Sequence, residues 1–266
     1  MQVLLTIEDL DVSFRNEGGE VTPAARDVNL TLDRGEVLGL VGESGSGKSS
    51  VAMSIPRLLP SPPACWPKGR ILFDGMDTLS MSVADLRRIR GSRIGVVFQD
   101  PIGSLSPLHR IGDQLVETIR LHRDVSAKVA REISLEWLGK VGISDPETRA
   151  RAYPHELSGG MQQRVMIAMG LMLDPDLLIA DEPTTALDVT IQAQVLKLLK
   201  ELHRARSAIL LITHDLGVVS QLATRLAVMR DGRVVETSDR PEDFFNNPKH
   251  PYSRTLVGEA RRMELT

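Results

Sequence analysis

The stretch GESGSGKSS, residues 42–50, constrains the fold of this chain more than any other feature. It fits the pattern G-x-x-x-x-G-K-S, follows the apolar run EVLGLV and precedes a segment with helical character. Glycines in such a turn let backbone N–H groups surround a phosphate, while Lys48 supplies a positive charge and Ser49 a hydroxyl ligand for Mg2+. The sequence therefore predicts a strand, a phosphate-binding loop and a helix in succession.

Short apolar runs alternate with helical patterns along most of the chain. Runs rich in Val, Ile and Leu predict strands, and they are EVLGLVG, GRILFDG, RIGVVFQ, LLIA, AILLIT and RLAVM. Between about residues 112 and 173 the apolar residues have helical spacing instead. The opening segment MQVLLTIEDLDVSF alternates apolar and polar residues, which is typical of an edge strand. This order predicts an α/β fold with a mainly parallel sheet and a helical insertion.

The composition argues against several classes of function. A net charge of -3, two Trp, two Tyr and five Phe provide little attraction or stacking surface for nucleic acid, so no nucleic-acid partner is expected. Cys65 is the only cysteine and can form neither an intrachain disulfide nor a multi-cysteine metal site. The most apolar stretch is interrupted by Asp174, Pro175 and Asp176 and is shorter than the ~20 residues of a membrane span. Any membrane role therefore requires a partner protein.

Polar residues follow three of the predicted strands. Asp181 and Glu182 follow LLIA, Gln99 closes RIGVVFQ, and His214 follows AILLIT. Because the carboxyl ends of parallel strands meet at one edge of a sheet, these side chains are expected near the phosphate loop. Asp181 would hold Mg2+, Glu182 would orient or deprotonate the attacking water, His214 would contact the γ-phosphate, and Gln99 would sense the metal and the nucleophile. Taken singly, each could instead be an ordinary solvated or structural residue.

A second candidate anion site lies in LSGGMQQR, residues 157–164. Ser158, Gly159 and Gly160 precede a helical pattern, and the start of a helix has unpaired N–H groups and the positive end of the helix dipole. Ser158 is equally suited to cap the helix, and both roles can hold together.

These motifs, in this order, resemble those of the ATP-binding cassette ATPases over nearly the whole chain. The matching motifs are GESGSGKSS as Walker A, VFQDP as the Q-loop, LSGGMQQR as the signature, LLIADEP as Walker B, TTALD as the D-loop and ITHD as the H-loop. The resemblance implies ATP and Mg2+ as ligands, two cassettes facing head to tail, and a signature that caps the ATP held by the other cassette.

The resemblance assigns roles to individual residues. Phe14 occupies the position of an aromatic residue that stacks on adenine, although it is equally well explained as a buried strand residue. Glu182, His214 and Gln99 are the expected catalytic residues, and Ser49, Gln99 and Asp181 the expected metal ligands. The remaining nucleotide contacts are expected from Gly42, Ser44, Gly45, Ser46, Gly47, Lys48, Ser49, Ser50, Ser158, Gly159, Gly160 and Asp188.

The implied architecture is a single nucleotide-binding domain over residues 1–266. An ATP-binding core with a P-loop NTPase fold and an N-terminal antiparallel β subdomain is expected at residues 1–104 and 174–240. A helical signature subdomain is expected at about 105–173, and a helical tail at 241–266.

Longer segments resemble the ATPases of dipeptide, oligopeptide and nickel importers, among them FQDPIGSLSPLHRIGDQL and NNPKHPYSRTLV. This implies ATP-driven import of a peptide, nickel or a metal chelate, on the cytoplasmic side of the inner membrane as a peripheral subunit. The implied partners are two transmembrane permease subunits, a second ABC ATPase and an extracytoplasmic solute-binding protein. Residues of about 100–114 are expected to dock on the permease through Ile102, Leu105, Leu108 and Ile111.

Two further expectations concern what the chain lacks or could do instead. Some relatives carry a cysteine-bearing extension with an iron–sulfur cluster, and this sequence ends at Thr266 with Cys65 alone, so no iron–sulfur cluster is expected. The alternative function is that of an accessory ATP-gated switch, for example in a phosphonate-processing complex.

Overall fold

The computed structural model describes residues 2–60, 64–65, 67–184, 189–203 and 207–263. The strands are β1 (Val3–Arg15), β2 (Val21–Asp33), β3 (Val37–Val41), β4 (Lys68–Phe73), β5 (Met76–Asp77), β6 (Ile94–Val97), β7 (Leu177–Asp181), β8 (Ala208–Thr213), β9 (Arg225–Arg230) and β10 (Arg233–Ser238).

Helices connect these strands and form the end of the described chain. They are α1 (Lys48–Ser54), α2 (Val83–Ile89), α3 (Pro101–Ser104), α4 (Ile111–His122), α5 (Ala127–Lys140), α6 (Pro146–Arg151), α7 (Gly159–Leu171), α8 (Val189–His203), α9 (Leu216–Leu222), α10 (Pro241–Asn246) and α11 (Pro251–Met263). Within the described ranges, none of these helices combines the length and the apolar character needed to cross a membrane.

The chain divides into two compact units. The first comprises Met1–Leu86 with Ala208–Thr266, and the second comprises Arg87–Ser207. The boundary between them falls inside α2.

The first unit contains an antiparallel sheet in the order β2-β1-β4-β5. Because β1 pairs with β2 on one side and β4 on the other, it is an internal strand, and the expectation of an edge strand is wrong. Alternation of apolar and polar residues marks a strand with one buried face, but it carries no information on how many neighbours the strand has. The strand β2, which contains Pro23 and three charged residues, was not predicted from the sequence.

The first unit also contains strands in the order β10-β9-β3-β8. β3 pairs in parallel with both β8 and β9, whereas β10 is antiparallel to β9. Every residue of β3 and β8 is buried, as expected for parallel strands that are covered on both faces. The α/β prediction, with an antiparallel N-terminal sheet beside mainly parallel strands, is confirmed.

The end of the described chain packs onto these strands through one hydrophobic cluster. The cluster connects α9, α10 and α11 with β3 and β9, and its buried members are Val41, Leu216, Val219, Leu226, Val228, Phe244, Tyr252 and Val257. Burial of large apolar side chains stabilises a fold by about 1.5–3 kcal/mol each. The cluster thereby fixes the C-terminal helices against the strand that precedes the phosphate loop.

The second unit contains β6 and β7, which pair in parallel. Every described element between them is helical, as the spacing of apolar residues predicts. The helix α7 runs close to β6, because Gly95 and Gly170 leave no side chain between them. A Cβ placed on Gly95 would lie 2.1 Å from the carbonyl oxygen of Gly170.

Candidate functional site

The loop between β3 and α1 adopts a conformation that requires glycine. Gly47 caps α1 with φ 98° and ψ 0°, in the left-handed region that L-residues rarely adopt. A Cβ placed on Gly47 would lie 2.1 Å from the carbonyl oxygen of Ala24, and one on Gly42 would lie 2.1 Å from that of Met229. The loop therefore follows the neighbouring backbone closely and forms a cradle that side chains at these positions would fill.

Lys48 lies inside this loop with only 5% of its surface exposed. Its Nζ donates hydrogen bonds to the carbonyl oxygens of Gly42 (2.7 Å) and Glu43 (2.8 Å) and to Oγ of Ser46 (3.3 Å). Desolvation of a buried ammonium is costly, and these acceptors offset it. Ser44 and Ser49 are exposed on the same loop, so the segment combines a fixed positive charge with accessible hydroxyl groups.

We expect Gly47→Ala to lower the free energy of unfolding more than Gly45→Ala does. Gly45 has φ 81° but nothing within 4 Å of a Cβ placed on it, so alanine there brings backbone strain without a clash. Such strain costs about 1–3 kcal/mol, and the contact with Ala24 adds to it in Gly47→Ala. Urea unfolding of both variants measures the difference, and equal losses would contradict the close approach as its cause.

His214 leaves β8 beside the start of the phosphate loop. Val41, the last residue of β3, is paired in parallel with Thr213, the last residue of β8. His214 is exposed, and Asp215 caps α9 by accepting hydrogen bonds from the N–H groups of Gly217 (2.7 Å) and Val218 (3.3 Å). The first unit therefore brings the phosphate loop and His214 to the same end of two adjacent strands.

The second unit brings Gln99, Asp181 and Glu182 together in the same way. Val97 of β6 is paired in parallel with Ala180 of β7. Asp181 ends β7, Glu182 follows it, and Gln99 lies two residues beyond the end of β6. Asp181 is 5% exposed, Glu182 is partly exposed and Gln99 is exposed. Side chains with oxygen atoms of different accessibility thus lie at the carboxyl ends of two paired strands.

Glu182 has a strained backbone and a neighbour that the sequence did not reveal. Its φ of 45° places a non-glycine residue in the left-handed region, and outliers of this kind cluster at functional sites. Gln163, 3% exposed on α7, donates from Nε2 to the carbonyl oxygen of Pro183 at 2.8 Å. This bond fixes the turn after Glu182, and only the polar character of Gln163 within a buried helix face could have indicated it.

The signature segment forms the start of a long helix. Ser158 is the N-cap of α7, and its Oγ accepts a hydrogen bond from the N–H of Met161 at 3.3 Å. Ser158 and Gly159 are exposed and Gly160 is partly exposed, so this helix start is open to solvent. The capping role foreseen for Ser158 is present, and the N–H groups beside it remain accessible.

Of two further predicted nucleotide contacts, Phe14 and Asp188, the structure describes only Phe14. Phe14 lies in β1 opposite Thr22 of β2, is partly exposed and also forms a bridge with Ala64. Asp188 lies outside the described residues.

The predicted docking loop is partly buried. Leu105 is 2% exposed and Ile111 is fully buried, so these two residues belong to the core and are not available to a partner. The prediction overlooked that the apolar residues flanking a helix start anchor it to its own domain. Leu108 is 81% exposed, and Gln114 holds the loop around it through Ser106 N, Ser106 O and His109 O. The side chain of Ile102 lies outside the described part of the chain.

Known proteins are similar to this chain in sequence. The family model for the ABC transporter matches residues 25–185. The oligopeptide transport ATP-binding protein OppD of Bacillus subtilis (strain 168) is 49% identical over 262 residues, which cover 98% of this chain and 73% of that protein. The dipeptide transport ATP-binding protein DppD of the same strain is 49% identical over 266 residues, which cover 100% of this chain and 79% of that protein.

The fold has close counterparts among solved structures. A dimeric ATP-binding cassette in a post-hydrolysis state, bound to ADP and Pi, has a TM-score of 0.79 and 29% sequence identity. The match covers 88% of this chain and 98% of that chain.

Proposed function

Because this chain belongs to the ABC transporter family, we propose that it is the ATP-hydrolysing subunit of an importer, with residues 42–50 as its ATP-binding loop. The observation that carries the proposal is the buried Lys48 amine inside a glycine cradle at the end of β3. A buried ammonium with exchangeable carbonyl acceptors is suited to an anion, because phosphate oxygens are stronger acceptors than the carbonyls they replace.

The phosphate loop binds the triphosphate through its backbone and Lys48. The N–H groups of Ser44, Gly45, Ser46 and Gly47 surround the phosphates, with further contacts from Gly42, Ser49 and Ser50. Lys48 exchanges its bonds to the carbonyl oxygens of Gly42 and Glu43 for bonds to phosphate oxygens. Phe14 stacks on the adenine, and its partial exposure supports this role.

The oxygen donors of Ser49, Asp181 and Gln99 suit Mg2+, a hard cation that prefers hydroxyl, carboxylate and amide oxygens. When held by these residues, Mg2+ would neutralise negative charge on the phosphates. Asp181, which is almost fully buried, is the ligand with the most restricted side chain.

Glu182 accepts a proton from the attacking water and orients it toward the γ-phosphate. His214 donates a hydrogen bond to the γ-phosphate, and Gln99 contacts the metal and the nucleophile. The strained backbone of Glu182 and the bond from Gln163 to Pro183 fix the direction of the carboxylate. A positioned base of this kind contributes about 10²- to 10⁴-fold to the rate.

The signature acts on the nucleotide of a second cassette. Ser158, Gly159 and Gly160 present accessible groups at the start of α7, a 13-residue helix whose positive dipole end favours a phosphate. Asp188, in the segment after Glu182, also contacts a nucleotide. This chain forms a head-to-tail dimer in our proposal, and the dimeric state of the matched ATP-binding cassette supports dimerisation. ATP then stabilises the closed dimer and hydrolysis releases it.

The solute is of the peptide class, since the matched relatives are named for oligopeptide and dipeptide transport. The chain binds two permease subunits from the cytoplasmic face of the membrane and works with an extracytoplasmic binding protein.

The chain acts as one nucleotide-binding domain, with the signature in its helical range of about 105–173. None of the matched relatives named here supports the alternative role in phosphonate processing.

Leu108 is the side chain best placed to contact the permease. It is 81% exposed, on a loop that Gln114 holds through three hydrogen bonds. An exposed leucine on a rigid loop gains the full benefit of burial on docking, and the loop loses little conformational freedom.

We expect Leu108→Asp to reduce recovery of the permease subunits with the tagged chain by about tenfold or more, the factor that corresponds to one buried leucine. Val83→Asp, at a site that is 56% exposed, is the matched control and should keep them. Detergent-solubilised membranes and quantitative mass spectrometry provide the measurement. Recovery of the wild-type chain with soluble proteins only would contradict the importer function, and equal recovery with Leu108→Asp would contradict this docking site.

A further inference from the structure

A tyrosine from the end of the described chain contacts the phosphate loop. The backbone N–H of Glu43 donates a hydrogen bond to the hydroxyl oxygen of Tyr252 at 2.9 Å, across 209 residues of sequence. We propose that Tyr252 is a positioning residue that holds the phosphate loop in its ATP-binding conformation and so sets the affinity for ATP. This inference rests on the proposed function, in which residues 42–50 bind ATP.

The contact involves the same peptide unit that anchors Lys48. The carbonyl of that unit belongs to Gly42 and accepts a hydrogen bond from Lys48 Nζ at 2.7 Å. Its N–H belongs to Glu43 and donates to Tyr252. Tyr252 therefore fixes the plane of the peptide whose carbonyl directs the lysine. Without the hydroxyl, this peptide has one restraint fewer, and the position of Lys48 within the loop is less well defined.

Tyr252 itself is held firmly, which a positioning residue requires. It is 4% exposed and belongs to the hydrophobic cluster that includes Val41, the last residue before the loop. The guanidinium carbon of Arg230 lies 4.9 Å from the centre of the Tyr252 ring, within the range of a cation–π interaction. The ring is thus fixed by packing on its faces, and the hydroxyl points to the loop.

Glu236 of β10 holds the segment before Tyr252 in place. The carboxylate of Glu236 accepts hydrogen bonds from the N–H groups of Lys249 (2.9 Å) and His250 (2.8 Å). Burial alone would raise the pKa of Glu236, but these two hydrogen bonds, the Ser253 side chain and the charge of His250 together outweigh burial and lower the pKa, so the carboxylate stays charged. The ring nitrogen Nδ1 of His250 then accepts from the N–H of Tyr252 at 3.2 Å.

The phenol stays neutral under ordinary assay conditions. Burial raises the pKa of Tyr252 more than the hydrogen bond from the Glu43 N–H lowers it, and the nearby charge of Glu43 also raises it. The hydroxyl therefore accepts the N–H of Glu43 without becoming a phenolate that would repel the phosphates of ATP.

Tyr252→Phe tests the proposal, because it removes only the hydroxyl. We expect the Kd and the KM for ATP to rise about 3- to 10-fold, the range for loss of one hydrogen bond, with kcat within about twofold of the wild type. Thr255→Val is the matched control, since it removes an exposed hydroxyl from the same helix, and that hydroxyl donates to the carbonyl oxygen of Pro251. Unchanged or tighter ATP binding in Tyr252→Phe would overturn the proposal.

A second measurement covers the case in which Tyr252→Phe unfolds. The chain has only two tyrosines, Tyr153 and Tyr252. Tyrosine labelled with 13C at the carbon that bears the hydroxyl therefore gives two NMR signals, which Tyr153→Phe assigns. We expect the Tyr252 signal to move when ATP saturates the protein, because Lys48 then leaves the shared peptide. A signal that stays in place at saturation would overturn the proposal.

Lys48→Ala separates this proposal from the proposed function. If Lys48→Ala binds ATP more weakly than the wild type and Tyr252→Phe matches the wild type, the positioning role fails and the ATP site stands. If Lys48→Ala binds ATP like the wild type, the assignment of the loop fails, and the role of Tyr252 with it.

Discussion

Glu182→Gln is expected to slow ATP hydrolysis by about 10²- to 10⁴-fold while ATP binding is retained, because glutamine keeps the shape of the side chain but cannot accept the proton of water. The backbone at φ 45° and the turn held by Gln163 remain in place, so the change is confined to the carboxylate. Phosphate release from the purified chain with its cassette partner measures the rate. Light scattering with ATP should detect a closed dimer that persists.

The matched control for this variant is Glu201→Gln. Glu201 lies on α8, is exposed and forms a long ion pair with Lys197 at 3.9 Å, so losing its charge should leave turnover near that of the wild type. Near-normal hydrolysis in Glu182→Gln would remove Glu182 from the role of base. A loss of ATP binding would point to a structural role for the carboxylate instead.

Lys48→Ala is expected to weaken ATP binding by about 10- to 100-fold, the range for a hydrogen bond with a charged partner. The variant removes the buried ammonium that the glycine cradle encloses, and it leaves the carbonyl oxygens of Gly42 and Glu43 without this donor. Equilibrium titration with a fluorescent ATP analogue measures the affinity directly and does not depend on turnover.

Lys197→Ala provides the control for charge. Lys197 is 77% exposed in its side chain, and its removal changes the net charge of the chain by the same amount as the loss of Lys48. Equal ATP affinity in Lys48→Ala and Lys197→Ala would contradict the assignment of Lys48 to the phosphates. A melting curve for each variant distinguishes lost binding from lost folding.

Local sequence patterns predicted the strands and helices that position the candidate site. The apolar runs before Gly42, Gln99, Asp181 and His214 are strands, and the described elements from α3 to α7 are helical. These predictions succeed because burial on both faces of a parallel strand demands continuous apolar residues, while helices need apolar residues at every third or fourth position. Both patterns can be recognised from residues that are close together in the sequence.

Patterns along the chain failed where the number or identity of neighbours mattered. β1 was expected at a sheet edge and lies between β2 and β4. Leu105 and Ile111 were expected to face a permease and are buried. In each case the sequence shows that a side chain is apolar but not which neighbour buries it. The free energy of burial depends on the apolar area removed from water, so different neighbours would stabilise the side chain equally.

The sequence by itself determined the chemistry available to this protein: a lysine and serines within a glycine loop, carboxylates after an apolar strand, and a capped helix start. Tertiary structure alone decided that Gln163 holds the turn after Glu182 and that Tyr252 holds the peptide between Gly42 and Glu43. Hydrogen bonds such as these join residues 20 and 209 positions apart. Their geometry depends on how buried side chains pack, and no local spacing of residues encodes that packing.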